Sequence, residues 1–240
     1  MKKIALSLVL AGSIFAADNL VQSIDLGFTN TTGNSKTTNL NGKYALAYKT
    51  IGLYNQELKT KFNIQAFYAK NDGVKSNEEY TSYLGLEQFI YDGWLGYFDL
   101  NWLRNPDFKN YNHKIDTSAG IGKEIYKTDT SNLIVKLGIG YSYYDFADST
   151  PNDDFASLNQ ALEYNNKLNE NSLFYTKLNA LEGFDDFSKN YELGTTFGLK
   201  FNLTNNVHAV MEEQISYDNQ PPAGFKKTDT KTIIRLGLSF

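Results

Sequence analysis

The chain holds 240 residues, 41% hydrophobic and 15% aromatic, with a formal net charge of -4, a mean hydropathy of -0.43 and no cysteine. These values exclude a bundle of membrane-spanning helices, a disulfide framework and thiolate chemistry, and the acidic balance argues against a nucleic-acid partner. The length suits one large β domain, and no Pro/Ser-rich linker divides it.

Lys2 and Lys3, the apolar run Ile4 to Phe15 and the small pair Ala16-Ala17 read as a secretory signal over residues 1–17, leaving an exported domain over residues 18–240. The apolar run falls short of the roughly 20 residues that a spanning helix needs, and no Cys follows it to carry a lipid. Leu20 to Asn30 then alternates, with Ile24, Leu26 and Phe28 on one face and Ser23, Asp25 and Gly27 on the other, which is the period of a strand. Thr31 to Lys36 reads as a polar turn before a second strand, Thr37 to Lys49. The unit recurs at Glu57 to Lys70, then after a predicted turn over Asn71 to Asn77 at Tyr80 to Gln88, and after Tyr91-Asp92-Gly93 at Trp94 to Trp102. Further strands are predicted at Ile115 to Tyr126, Leu133 to Asp145, Phe155 to Leu168, Leu173 to Leu181, Tyr191 to Leu203, Val207 to Tyr217 and Thr230 to Phe240. Phe155 to Leu168 also fits an amphipathic helix, but that reading leaves an odd number of strands. Short connections alternate with longer ones, as in an up-and-down barrel.

The pattern therefore predicts an all-β fold, a transmembrane antiparallel β-barrel of about 12 strands with its apolar rows toward lipid. The alternative is a soluble periplasmic β-barrel binding protein with the apolar rows inside. About eight strands already suffice for a packed interior, so a dry core bounded by twelve would leave a void. The 17 Tyr and 16 Phe suit aromatic girdles at two interfaces.

With the polar face inward, Asp25, Lys43, Glu212 and Arg235 lie at similar depth on neighbouring strands and form a candidate lumen charge network, read as neutralising pairs or as a gate. The same depth argument places Lys59 near Glu87, Lys136 near Glu124 and Lys177 near Glu163. Gly120, Gly122, Gly138 and Gly140 project inward on adjacent strands and form a candidate small-residue patch, read as relief of crowding or as an off-centre cleft. The chain has two histidines, and neither His113 nor His208 has a partner in the sequence that suggests a nucleophile and base, so no enzyme is expected. Acidic residues at Asp145, Asp148, Asp153, Asp154, Asp185 and Asp186 lack the spacing of a built calcium loop, and no cofactor is expected.

Two stretches carry a resemblance. Thr31-Thr-Gly-Asn-Ser-Lys-Thr-Thr-Asn-Leu40, and Pro221-Pro-Ala-Gly224 followed by Lys226-Lys-Thr-Asp-Thr230, resemble the YdiY-like family of salt-induced outer-membrane proteins. That resemblance implies a barrel in the cell outer membrane and at most a link to osmotic conditions, with no assigned activity. The final strand, ending on Phe240, resembles the closing strand of a bacterial outer-membrane barrel. It implies the barrel-assembly machinery as a partner of Phe240, alongside outer-membrane lipid and lipopolysaccharide.

Overall fold

The computed structural model describes residues 19–32, 37–71 and 74–240. The signal expected over residues 1–17 lies outside them, as does most of the turn at 33–36. Twelve strands run β1 Leu20–Thr32, β2 Thr37–Ile51, β3 Glu57–Asn71, β4 Val74–Tyr91, β5 Trp94–Asn105, β6 Tyr111–Lys127, β7 Ser131–Phe146, β8 Asp153–Asn169, β9 Ser172–Gly183, β10 Tyr191–Asn202, β11 Val207–Asp218 and β12 Thr228–Ser239. Each pairs antiparallel with its sequence neighbours, and β1 closes on β12 with Ile24 opposite Leu238 and Leu26 opposite Leu236. The backbone of Phe240 completes the seam, its N–H donating to the Gln22 carbonyl at 3.0 Å and its carbonyl accepting from the Gln22 N–H at 3.1 Å. Closure leaves no strand edge unpaired, which the backbone requires wherever water is excluded from the outer surface.

The wall is inverted relative to a soluble barrel. Leu26, Ile139 and Leu236 are 64%, 67% and 61% exposed, whereas Asp25, Lys136 and Arg235 are 4%, 1% and 2% exposed. Strand parity sends the two sets to opposite faces, because side chains alternate along every strand. Connections near the termini are short. Asp92 and Gly93 take positive φ of 46° and 74°, the mirror-image turn that matches strand twist in a two-residue hairpin. Most of the longer ones, over residues 106–110, 147–152, 184–190 and 219–227, lie at the opposite, far end.

Two expectations need correction. The turn predicted over Asn71 to Asn77 is shorter: β4 starts at Val74, and a bulge between Ala69 and Lys70 shifts the register so that pairing continues to Asn71 and Val74. The interior is also not uniformly hydrophilic. Leu95, Tyr97 and Ile134 form one inward apolar cluster with Phe89, and Tyr111, Tyr144, Phe155 and Leu181 form another with Leu103 and Phe146. In the second cluster Tyr144 meets Tyr111 and Phe155 edge-on at centroid separations of 5.5 and 5.3 Å, the packing that ring quadrupoles favour. The segment that also fitted a helix is a strand, with Ala156 opposite Tyr141 and Glu163 opposite Lys177.

Candidate functional site in the lumen

The seam brings the four predicted network residues onto adjacent inner positions, but their partners differ from a simple cross-strand scheme. Asp25 faces Lys43 in register, yet its Oδ1 lies 2.7 Å from His208 Nε2 and its Oδ2 accepts from Ser23 Oγ at 3.0 Å. Arg235 forms an ion pair with Glu212 and donates from Nη1 to Gln65 Oε1 at 3.1 Å. Glu212 also accepts from the Tyr175 hydroxyl at 2.9 Å. These charges are buried and paired, which is the condition for holding them away from bulk water.

His208, for which the sequence suggests no partner, has two in the fold. It is 3% exposed and bridges Asp25 to Ser239, whose Oγ lies 3.1 Å from Nδ1. The only sequence signal was its inward parity on a strand that neighbours the closing one. The Ser239–His208–Asp25 order resembles a nucleophile, base and orienting acid. The adjacent amides are engaged, however: the Ser239 N–H donates to the Asn206 carbonyl at 2.7 Å and the Phe240 N–H to Gln22. Both of those amides are committed to the ladder, and the trio ties β1, β11 and β12 together. His113 points outward, where its Nδ1 accepts from Trp102 Nε1 at 3.1 Å.

A second group crosses the barrel. Lys136 on β7 donates to Glu87 on β4 at 2.7 Å and to Glu163 on β8 at 2.8 Å. Lys61 on β3 joins the same two carboxylates at 2.8 and 3.4 Å, and Lys177 stands 3.8 Å from Glu163. Because β3 and β8 lie on opposite sides of the closed sheet, these side chains form a charged bar across the lumen. Lys59 stands opposite Glu87 in register as expected, although its ion pair is with Glu57 at 3.1 Å, whereas Lys136 does not pair with Glu124, which takes Lys127 at 3.0 Å. The expected nearness of Lys177 and Glu163 is found.

Toward the far end Glu79 takes Lys231 and, at 3.3 Å, Lys109, while Lys114 pairs with Glu192 under the Tyr144 hydroxyl. Burial opposes the charge on Lys109, a loop residue, but Glu79 and Asp229 outweigh it and hold its pKa above the ordinary lysine value. Between these ties and the bar lies a cavity of about 710 Å³. Lys43, Lys61, Lys177, Glu163 and Glu212 contribute to it from below, and Pro222 and Phe225 of the last long loop reach it from above.

The space over the glycine patch is taken. A Cβ on Gly138 would stand 2.4 Å from Tyr97 Oη, one on Gly122 2.9 Å from Leu95 Cδ1, and one on Gly140 2.4 Å from Asn159 Nδ2. Gly120 faces Gly138 directly, and a Cβ there would meet the Leu137 carbonyl at 2.2 Å. The patch therefore seats neighbouring side chains rather than opening a cleft. Of the acidic loop residues, Asp148 and Asp186 accept hydrogen bonds from Thr150 and Ser188, which hold their carboxyls below the usual range. No group of three metal-ligating side chains occurs among the described residues.

A family model described as a protein of unknown function, DUF481, matches residues 24–240. Among curated proteins none matches the chain by sequence. Among solved structures, an outer membrane channel from Pseudomonas putida F1 superposes with a TM-score of 0.57 at 12% identity, covering 92% of this chain and 96% of that one. The NanC porin gives a TM-score of 0.56 at 11% identity, covering 90% and 98%. Outer membrane phospholipase A from Escherichia coli gives 0.51 at 13% identity, covering 90% and 89%. These likenesses are of fold: a closed barrel of the outer-membrane kind, shared by porins, channels and one enzyme.

Proposed function

The chain belongs to the DUF481 family of unknown function, and from that premise we propose that it is an outer-membrane barrel acting as a narrow channel for small polar solutes. One observation carries the reading: large apolar side chains stand exposed on the outside while charged ones are buried within, an arrangement that needs an apolar surround such as acyl chains. In this reading the short connections and both ends of the described chain face the periplasm, and the far mouth faces outward. Phe240 engages the assembly machinery, and lipid and lipopolysaccharide cover the wall. A non-enzymatic role fits the engaged amides beside Ser239. Residues 1–17 serve as the export signal.

The Lys61–Glu87–Lys136–Glu163 bar is the constriction, because it crosses the passage below the cavity. A conductance this restricted suits slow equilibration with the medium, which is how a link to osmotic conditions would arise. A planar bilayer holding the purified barrel tests the reading. Small, steady conductance that rises in Lys136→Gln and changes in Arg235→Gln supports it; a wild type that never conducts removes the channel.

A further inference from the structure

We propose that the lumen beside the β1–β12 seam binds a small oxyanion, the carboxylate or phosphate group of a solute, through Lys43, Lys200 and the Nε of Arg235. The inference deepens the channel reading and rests on the same lumen. Lys200 faces Val210, which faces Arg235, which in turn faces Gly27; Lys43 lies one strand beyond, opposite Asp25. Val210 is short and Gly27 has no side chain, so neither adds bulk beside the guanidinium, and Lys43 is close enough to both Arg235 and Lys200 to feel their charge. The approach at Gly27 is close: a Cβ there would stand 2.5 Å from Arg235 Cγ.

The carboxylates at this level are spent on other groups. Asp25 makes its short contacts to His208 and Ser23, and Glu212 to Arg235 and Tyr175. Among the described residues neither Lys43 nor Lys200 forms an ion pair or a hydrogen bond, although both feel the charge of Asp25. Arg235, 2% exposed, keeps an Nε–H with no acceptor. A buried guanidinium N–H left unpaired is costly, and two ammonium groups beside it leave three cations against two carboxylates. An oxyanion accepting from Nε and both lysines satisfies the orphaned donor and cancels the excess charge with charge-assisted bonds. Lys43 also lines the large cavity, so a solute entering from the far mouth reaches it.

The test titrates the folded full-length barrel in detergent with inorganic phosphate and, separately, with succinate, by calorimetry. Saturable binding of at least one is expected, and which one binds tells a phosphate-bearing solute from a carboxylate. Replacing both lysines, Lys43→Gln with Lys200→Gln, should weaken it about tenfold or more, while Lys43→Arg retains it and Lys189→Gln in an outer loop leaves it unchanged. Each variant must keep the anomalous mobility of a folded barrel on an unheated SDS gel, so that lost binding is not lost fold. No saturable binding of either anion to wild type, or binding unchanged in the double variant, overturns the site. Binding by a barrel that never conducts keeps the site and removes the channel; conductance without anion binding does the reverse.

Discussion

The two arcs of the wall fill the inside of the cylinder by different physics. Along β5 to β9 the inner face carries, beside the charged Lys114, Lys136 and Glu163, the apolar set Leu95, Tyr97, Ile134, Tyr111, Tyr144, Phe155 and Leu181, packed close to Gly120, Gly122, Gly138 and Gly140 like the core of a soluble protein. From β10 through the seam to β3 it carries Glu212, Arg235, His208, Asp25, Lys43 and Lys61, held by ion pairs and hydrogen bonds. One side thus gains mainly by excluding water and close packing, the other mainly by pairing buried charges. The cavity takes its lining from both arcs, Lys43, Lys61 and Glu212 on one side and Asp99, Asp116 and Glu163 on the other.

Variants separate the two arcs. The largest effect is expected from Arg235→Ala, which leaves the Glu212 carboxylate buried without its cation and should cost about 3–5 kcal/mol in urea unfolding of the lipid-reconstituted barrel. A cost below about 1 kcal/mol would mean that water already reaches this carboxylate. Leu95→Ala on the packed arc follows at about 2–4 kcal/mol, with ion selectivity unchanged, since the fully buried Leu95 lies outside the charged arc. A shift in selectivity would show that the passage reaches Leu95 as well. Gly138→Ala comes next at about 1–3 kcal/mol, because its methyl group must displace the Tyr97 hydroxyl and meets the Ala119 carbonyl. The smallest effect is expected from Lys189→Ala, whose exposed partner Asp186 sits in an outer loop: no measurable change in stability or conductance.

How much of this the sequence discloses follows from the range of each interaction. Alternation is a local property, so the strands from Leu20 to Phe240, the face of each side chain and the inward parity of Arg235 were all readable. Adjacency in a hairpin is nearly as local, and the Asp25–Lys43 and Glu163–Lys177 oppositions appear in the register as expected. Interactions that jump strands were not readable. Lys136 reaches Glu87 past β5 and β6, passing 5.3 Å from the Tyr97 ring centre, and no pairwise rule between neighbouring strands anticipates that. His208 meets Asp25 only because the barrel closes, which brings together residues 183 positions apart. The apolar clusters were missed for a related reason: Leu95 and Ile134 break the polar parity of their strands locally, and only curvature shows that they face each other.

Side-chain labelling tests the inverted wall most directly, because the chain contains no cysteine of its own. Ser216→Cys projects into the lumen and Met211→Cys outward, two positions on the same strand. In lipid vesicles, a membrane-impermeant maleimide should label Ser216→Cys and spare Met211→Cys, while a spin label at Met211→Cys should be broadened by a lipid-soluble relaxation agent. The opposite result, with Met211→Cys open to the aqueous reagent and Ser216→Cys sealed from it, would contradict the account of a barrel that turns its apolar rows to lipid.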